Sequence, residues 1–478
     1  MAKANEKYFR NEIIPELVNR FENMIKNNTQ YYFDVSEFEN LIEFYIEDSD
    51  IKNASIAVKY GCAQHPKSPI LKLKNAQLLL DNGFVTESLE LTKELEKIEP
   101  SEFEIYILKA NCYLELGKNQ KAEESFNKAI ENYHSSLDEA YHDIGYIYMS
   151  YEKNSLALKY LKKAVENKPT NYAAVFDYAY INFLSENYTQ SINSYKFYLK
   201  KYPLSEQAWN NLGNVYATLG NKELAIEAFD YSISINKQFQ NPYLAKAEIL
   251  FSNNEFQKAI NTYQELLEKD ITNNSVYFLI ADCYQNLEEY INAIKYYKKS
   301  IEIDSSFADS WYSIANILYK LKKYKPAIKF VEKAIELDSY EAEFWFLAAQ
   351  ISAEIGTFQS TCRHFKKTLE LDPNYIDAWI AYSEYCYTKN FVDAGIQILE
   401  EAIKFNKKDS FLHYALSLFY LTLKNNKFAA YHFQIAANLN INFQNLFFEY
   451  YPEAAKNKVF NKISKAIKKR ISLEPKTI

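Results

Sequence analysis

Between Glu206 and Phe239 the apolar positions recur with a helical period, pause, and resume. Trp209, Leu212, Gly213 and Tyr216 fall at i, i+3, i+4 and i+7, one face of an α-helix. Gly220 predicts the stop, because a glycine enters the left-handed conformation that closes a helix without a Cβ penalty. Ala225, Phe229 and Ser232 then share one face of a second helix. The polar residues between them fall on the opposite faces, so the stretch predicts a helical hairpin with an apolar seam.

The same frame slides along the chain. Repeat starts fall at Val35, Pro69, Phe103, Asp138, Tyr172, Glu206, Gln240, Asn274, Ala308, Ala342, Ile376 and Ser410, twelve repeats spaced by 34 residues with one spacing of 35. Position 20 reads Ala54, Ser88, Ala122, Ala157, Ser191, Ala225, Ala259, Ala293, Ala327, Thr361, Gly395 and Ala429, none of them large. Position 8 is Ile42 once and otherwise Ala, Gly or Ser. Where two helices cross closely a bulky side chain would force the backbones apart, and such overpacking costs about 1–3 kcal/mol. Trp209, Trp311, Trp345 and Trp379 all occupy position 4, and the eight glycines fall at positions 8, 15, 20 or 27. Pro66, Pro100, Pro169, Pro203 and Pro373 occupy position 32, just past a helix end, where a missing N–H is tolerated. This pattern resembles the tetratricopeptide repeat, with Lys237 departing from the frequent proline at position 32 of the stretch from Glu206. The resemblance implies an all-α fold, an α-solenoid in which hairpins stack into a right-handed superhelix, closed at both ends by capping helices.

Three segments follow. Residues 1–34 predict a capping helix from about Pro15 to Lys26, with Leu17, Phe21, Met24 and Ile25 on one face, and then a loop. Residues 35–443 form the solenoid, with a candidate joint at 132–137, where one extra residue is expected in an inter-repeat turn. Residues 444–478 predict terminal capping helices: Phe443, Leu446, Phe447 and Tyr450 continue one helix, and Pro452 starts another whose apolar stripe is Val459, Phe460, Ile463, Ile467 and Ile471. Opposite that stripe stand Lys456, Lys458, Lys462, Lys465, Lys468, Lys469 and Arg470, a polar outer face for a terminal repeat or a basic surface.

Composition narrows the function. The net charge of −7 opposes long-range attraction to a phosphate backbone. The five cysteines are dispersed, without CxxC, and read as packing residues in a reducing compartment. No apolar run approaches a membrane span, and Met1–Asn11 carries no signal core, so a cytoplasmic location is expected. The six histidines show no metal-ligand spacing, and no phosphate-binding or nucleophile motif occurs; neither an enzyme, a cofactor nor a metal is expected.

Function is therefore expected on a surface. In the family resembled, first helices line the concave wall, and positions 2, 5, 9 and 12 meet a partner's peptide or helix. Those positions here include His142, Tyr146, Phe176, Tyr180, Phe183, Asn210, Asn214, Phe278, Asp282, Tyr312, Asn316, Tyr319, Phe346, Glu384 and Tyr387. Rings supply rigid apolar area and amides pair with main-chain groups, and Asp143, Asp177 and Asp309 tilt the wall acidic. A clamp for a C-terminal carboxylate is not expected, since Asn210, Asn211 and Asn214 stand in repeat 6 without the family's Lys at position 5. The second helices carry lysines such as Lys159, Lys163, Lys298, Lys299, Lys333, Lys366 and Lys367. The expected function is a non-catalytic protein-interaction scaffold for an apolar, basic segment. The alternative is a ribosome- or nucleic-acid-associated factor using the lysine-rich convex face and the C-terminal helix.

Overall fold

A computed structural model describes residues 14–268 and 273–473. The expectation for Met1–Asn11 lies outside the described residues, as do those for the side chains of Leu446, Tyr450, Arg470 and Ile471. Among the described residues the regular structure is helical, and the chain forms two compact units, Met1–Ala245 and Lys246–Ile478.

In the first unit, helix Ile14–Lys26 precedes six hairpins: Val35–Glu47 with Ile51–Gln64, Pro69–Asp81 with Val85–Ile98, Phe103–Glu115 with Asn119–Asn132, Leu137–Ser150 with Asn154–Asn167, Tyr172–Leu184 with Tyr188–Lys201, and Glu206–Thr218 with Lys222–Ile235. Helix Gln240–Ser252 and helix Phe256–Leu267 make repeat 7. In the second unit follow Asn274–Asn286 with Tyr290–Ile303, Ala308–Lys320 with Tyr324–Leu337, Ala342–Ile355 with Phe358–Leu371, Ile376–Thr388 with Val392–Phe405, and Ser410–Thr422 with Asn426–Leu439. Helices Phe443–Tyr450, Pro452–Ala455 and Lys458–Leu473 end the described chain.

First helices begin where the repeat frame begins, with one exception. Repeat 4 starts at Leu137, one residue early. Its preceding link, residues 133–136, is no longer than its neighbours, so the extra residue lies in the first helical turn and not in the turn between repeats. Asp138 explains the placement. Its buried carboxylate accepts from Asn171 Nδ2 at 2.8 Å and from the Ser136 hydroxyl, with the Lys168 ammonium at 3.7 Å.

The seam is as tight as the small residues imply. Every residue named at position 20 is buried, and an added Cβ at Gly145 or Gly213 would lie 2.6 Å from Leu161 Cγ or Phe229 Cε1. Serines fit at position 20 because the hydroxyl spans the seam: Ser88 and Ser191 donate to the carbonyls of Ala76 and Ala179 at 2.6 and 2.8 Å. At position 15 the hairpin turns through a left-handed residue. Gly83, Gly117 and Gly220 take that conformation, but so do Ser49, Glu152, Glu186, Asn254, Glu288, Lys322, Asn390 and Lys424. Gly356 alone at this position is extended, with φ −88° and ψ −179°, and Thr357 then caps the following helix.

The position-4 tryptophans serve two elements at once. Each ring lies at its hairpin while Nε1 donates to the carbonyl six residues upstream, Pro203, Ser305, Ser339 and Pro373, at 2.9–3.1 Å. That carbonyl belongs to the link after the preceding second helix, so one side chain ties adjacent repeats.

Both ends are covered. Phe21 packs edge-on against Phe33 and Phe38 with centroids at 5.7 and 6.2 Å. Phe460 stacks on Phe433 at 4.2 Å. Phe460 and Ile467 are buried, whereas Val459 is 43% exposed and leaves the expected stripe. Val459 is the neighbour of Phe460 and stands about 100° around the helix axis from it, at the edge of the buried face; residues 456–457 also separate Pro452–Ala455 from Lys458–Leu473, so no continuous helix runs from Pro452.

Candidate interaction face on the first helices

In the first unit the structure joins four of the expected partner-binding residues. His142 Nε2 lies 2.7 Å from Asp177 Oδ2, linking the first helices of repeats 4 and 5. Phe176, one residue before Asp177, packs edge-on against Tyr195 and Tyr198 at 5.7 and 5.3 Å. The Tyr195 hydroxyl accepts from Asn211 Nδ2 at 3.2 Å, and the Asn211 Oδ1 is 3.4 Å from Asn210 Nδ2. Tyr180 and Asp177 stand near enough to Tyr195 to add, behind the dominant effect of burial, to the upward push on its phenol pKa. The His142–Asp177 pair and the Tyr195–Asn211–Asn210 hydrogen bonds, with the Phe176 ring between them, thus link repeats 4, 5 and 6.

Exposure grades this set. Tyr146 and Tyr180 are 58% and 38% exposed; His142, Phe176, Phe183 and Asn214 are half-buried. Asn210, expected on an open wall, is only 5% exposed, and its Oδ1 has no hydrogen-bond partner. Phe183 packs instead against Tyr188 in its own hairpin turn, at 6.1 Å, and Tyr146 and Asn214 stand apart from the chain of contacts.

The second unit contains the remaining eight. Phe278 lies against Tyr297 and Phe307, Tyr312 stacks on Phe344 at 4.9 Å, and Phe346 meets Tyr375 at 4.9 Å. These half-buried rings pack between helices as much as they offer a surface. Tyr319 touches Tyr324, and the exposed Tyr387 touches Phe419. Asn316 is half-buried. Asp282 accepts from the Tyr297 hydroxyl; burial raises its pKa, and Asp309 adds to the rise. Glu384 already has a partner in the chain, since Tyr451 Oη donates to it at 3.1 Å.

Tyr195 and Tyr297 belong to second helices and were not among the expected residues. Both occupy position 24, where the seam elsewhere holds Phe, Leu or Val, apart from Thr92 and a third tyrosine, Tyr263. The signal was present: a buried phenol must find a hydrogen-bond partner, and the first-helix face is the place its hydroxyl reaches.

Among the described residues no group of three or more His, Cys, Asp and Glu side chains could hold a metal, and no helix is long and apolar enough to cross a membrane. The tetratricopeptide-repeat family model matches residues 206–239, and a second model of that repeat matches 103–133 and 138–171. Each match covers one helical hairpin, to within one residue at its start. The chain is a tetratricopeptide-repeat protein. A family model described as anaphase-promoting complex, cyclosome, subunit 3 matches residues 252–334 of this repeat protein. Tetratricopeptide repeat-containing protein trd-1 of Caenorhabditis elegans is 26% identical over 228 residues, covering 46% of this chain and 28% of the relative. Anaphase-promoting complex subunit 3 of Dictyostelium discoideum is 38% identical over 66 residues, 14% of this chain and 7% of the relative. The chain spans less than a third of the length of either. Among solved structures, YrrB, a TPR protein with an unusual peptide-binding site, matches 39% of this chain and 96% of its own, at 13% identity and a TM-score of 0.34. Tetratricopeptide-repeat proteins in general mediate protein–protein interactions, and this one presents the helical hairpins of that class.

Proposed function

We propose that this repeat protein is a non-catalytic scaffold, and that the first helices of repeats 4–6 hold an extended or helical segment of a protein partner. Asn210 carries the proposal. A buried carbonyl without a donor costs about 1–3 kcal/mol, and Asn210 Oδ1 has none. Exchanging the amide nitrogen and oxygen of both Asn210 and Asn211 does not remove the problem, because Asn210 Nδ2 is then the unpartnered group. A peptide main chain supplies either an N–H or a C=O, so it satisfies the amide in either orientation. Rotation of the carboxamide toward the partner provides access. Tyr180 and Tyr146 add exposed ring area on first helices of the same unit, and the exposed Asp143 favours a partner with basic residues. The relative named as a subunit of the anaphase-promoting complex is consistent with work inside an assembly. The five free thiols fit a reducing cytoplasm.

The test separates binding from folding. A pull-down from native lysate at low and moderate salt supplies the partner, and calorimetry then measures it against variants. Tyr146→Ala with Tyr180→Ala is expected to weaken binding by about 2 kcal/mol or more, the scale of an interface hot spot. Asn210→Leu is expected to weaken the partner while raising the free chain's stability by about 1 kcal/mol, because it removes an unsatisfied buried group. Unchanged affinity in both variants sinks the proposed face.

A further inference from the structure

The second-helix side of repeat 10 carries a surface cleft of about 670 Å³ beside helix Phe358–Leu371. Trp345, Phe358 and Cys362 line it, with Arg363, Lys366 and Lys367 along one wall. Trp345 has already committed its N–H to Ser339, so what it contributes to the cleft is ring surface. Lys367 is paired with Glu370 at 3.2 Å. Arg363 and Lys366 differ. Both are exposed, they stand three residues apart on one helix, and neither joins an ion pair or hydrogen bond among the described residues. Elsewhere on second helices Lys128, Lys159 and Lys333 have carboxylates within the chain, at 3.0, 2.7 and 2.8 Å.

We propose that this cleft docks a short acidic segment of a protein, in which an aromatic or branched apolar side chain enters beside Trp345 and Phe358 while neighbouring carboxylates meet Arg363 and Lys366. The complementarity is local. An Arg guanidinium donates two parallel hydrogen bonds to a carboxylate, and a Lys ammonium three residues along the helix adds a point charge. The adjoining cleft, about 690 Å³ around Trp379, shares Lys366 and Glu370 but adds Glu401, so the unpaired positive charge does not continue along the surface. A nucleic-acid strand requires a continued track of cations; two unpaired cations on a chain of net charge −7 suit one or two carboxylates.

The experiment uses the full chain and a displayed library of random twelve-residue peptides, selected for retention by the wild type and rejection by the double variant Arg363→Ser, Lys366→Ser. Both substitutions are on the surface, and an unchanged melting profile verifies the fold. The expected pool is enriched in Asp and Glu flanking an aromatic or branched residue. A synthetic peptide from it is expected to bind the wild type at least tenfold more tightly than the double variant and to slow alkylation of Cys362 relative to Cys62, read by mass spectrometry. The same peptide is expected to bind Asn210→Ala unchanged, which keeps this surface separate from the first-helix face. A pool without acidic enrichment, equal binding to both proteins, or unprotected Cys362 overturns the proposal. So does an oligouridylate RNA that binds the wild type more tightly than the peptide and is lost in the double variant, an outcome that assigns the cleft to nucleic acid.

Discussion

The left-handed residues at position 15 show what a single backbone angle is worth. Glu288 and Lys322 have φ near +60°, a conformation that crowds a Cβ against the following carbonyl and costs roughly 1–2 kcal/mol per residue. Glycine carries no such term, although it loses more chain entropy on folding. Glu288→Gly and Lys322→Gly are therefore each expected to stabilise the second unit by about 0.5–1 kcal/mol in urea denaturation. Gly356 at the same position has a negative φ and so no left-handed term, but Gly356→Ala is still expected to destabilise, because an added Cβ would lie 2.7 Å from Ser352 O. A second effect at this scale concerns His413 and His432, whose Nδ1 atoms are 3.0 Å apart. Burial lowers both pKa values, His432 to about 4, and the adjacent His413 adds to the lowering at His432. The unfolded chain, titrating near the ordinary value of about 6.5, binds these protons before the folded chain does. The stability they allow is complete above pH about 6.5 and is lost as pH falls toward 4. Glu400 and Asp409 oppose the lowering, and Tyr420 stacks on His432 without charge. With partial exposure discounted, the loss is on the order of 1–2 kcal/mol. Melting points of the wild type and His432→Phe, compared between pH 6.5 and 5, are expected to show a shallower slope in the variant; parallel slopes refute the linkage.

At the scale of the hairpin, small residues and seam aromatics are one device, and that device was legible in the sequence. The frame placed Gly213 opposite Phe229 because sterics at a close crossing leave only small residues acceptable, and the structure puts a hypothetical Gly213 Cβ 2.6 Å from the Phe229 ring. What the frame could not convey was hydrogen bonding across it. The indole donors of Trp209, Trp311, Trp345 and Trp379 look like seam surface in an apolar pattern, yet each closes a link six residues back. The Tyr195 and Tyr297 phenols likewise reach out of the seam to the first-helix face. Periodicity reports which side of a helix is apolar, whereas partner choice depends on distances set by the neighbouring repeat. For the same reason most of the expected partner-binding rings, such as Tyr312 and Phe346, are packing residues as well. Gly213→Ala tests the seam directly. Helix propensity favours alanine by about 1 kcal/mol, but Phe229 is fully buried and has no free side to move into. Overpacking is expected to win, with a net loss of about 1–2 kcal/mol. Adding Phe229→Leu is expected to be less than additive, since the smaller side chain relieves the overlap it would otherwise only worsen. Full additivity in denaturant titrations would mean that the two positions do not meet.

For the molecule as a whole the decisive property is that contacts run between neighbours in sequence. Within each unit a helix touches the helices one or two places along the chain, and helix Lys458–Leu473 touches Asn426–Leu439. Such an array approximates a sum of repeat stabilities and nearest-neighbour interfaces, so damage at one place is felt according to its distance along the stack. The terminal stack offers a sharp case. Phe460 and Phe433 lie face to face at 4.2 Å with an interplanar angle of 3°, and Phe433 also contacts Phe447 and Phe448. Truncating a buried phenylalanine costs about 3–5 kcal/mol. A single-domain protein with that loss would exchange its amide hydrogens faster throughout. Here Phe460→Ala is expected to accelerate exchange across residues 410–473, where the helices depend on the missing ring, with a smaller increase in repeat 11. Exchange in repeats 1–3 is expected to stay within error of the wild type, because no chain of disrupted interfaces of comparable cost reaches them. Hydrogen-exchange mass spectrometry resolves these segments in one experiment. A uniform acceleration over all twelve repeats would show that the array unfolds as a single cooperative unit, and the nearest-neighbour description would then have to be abandoned for this chain.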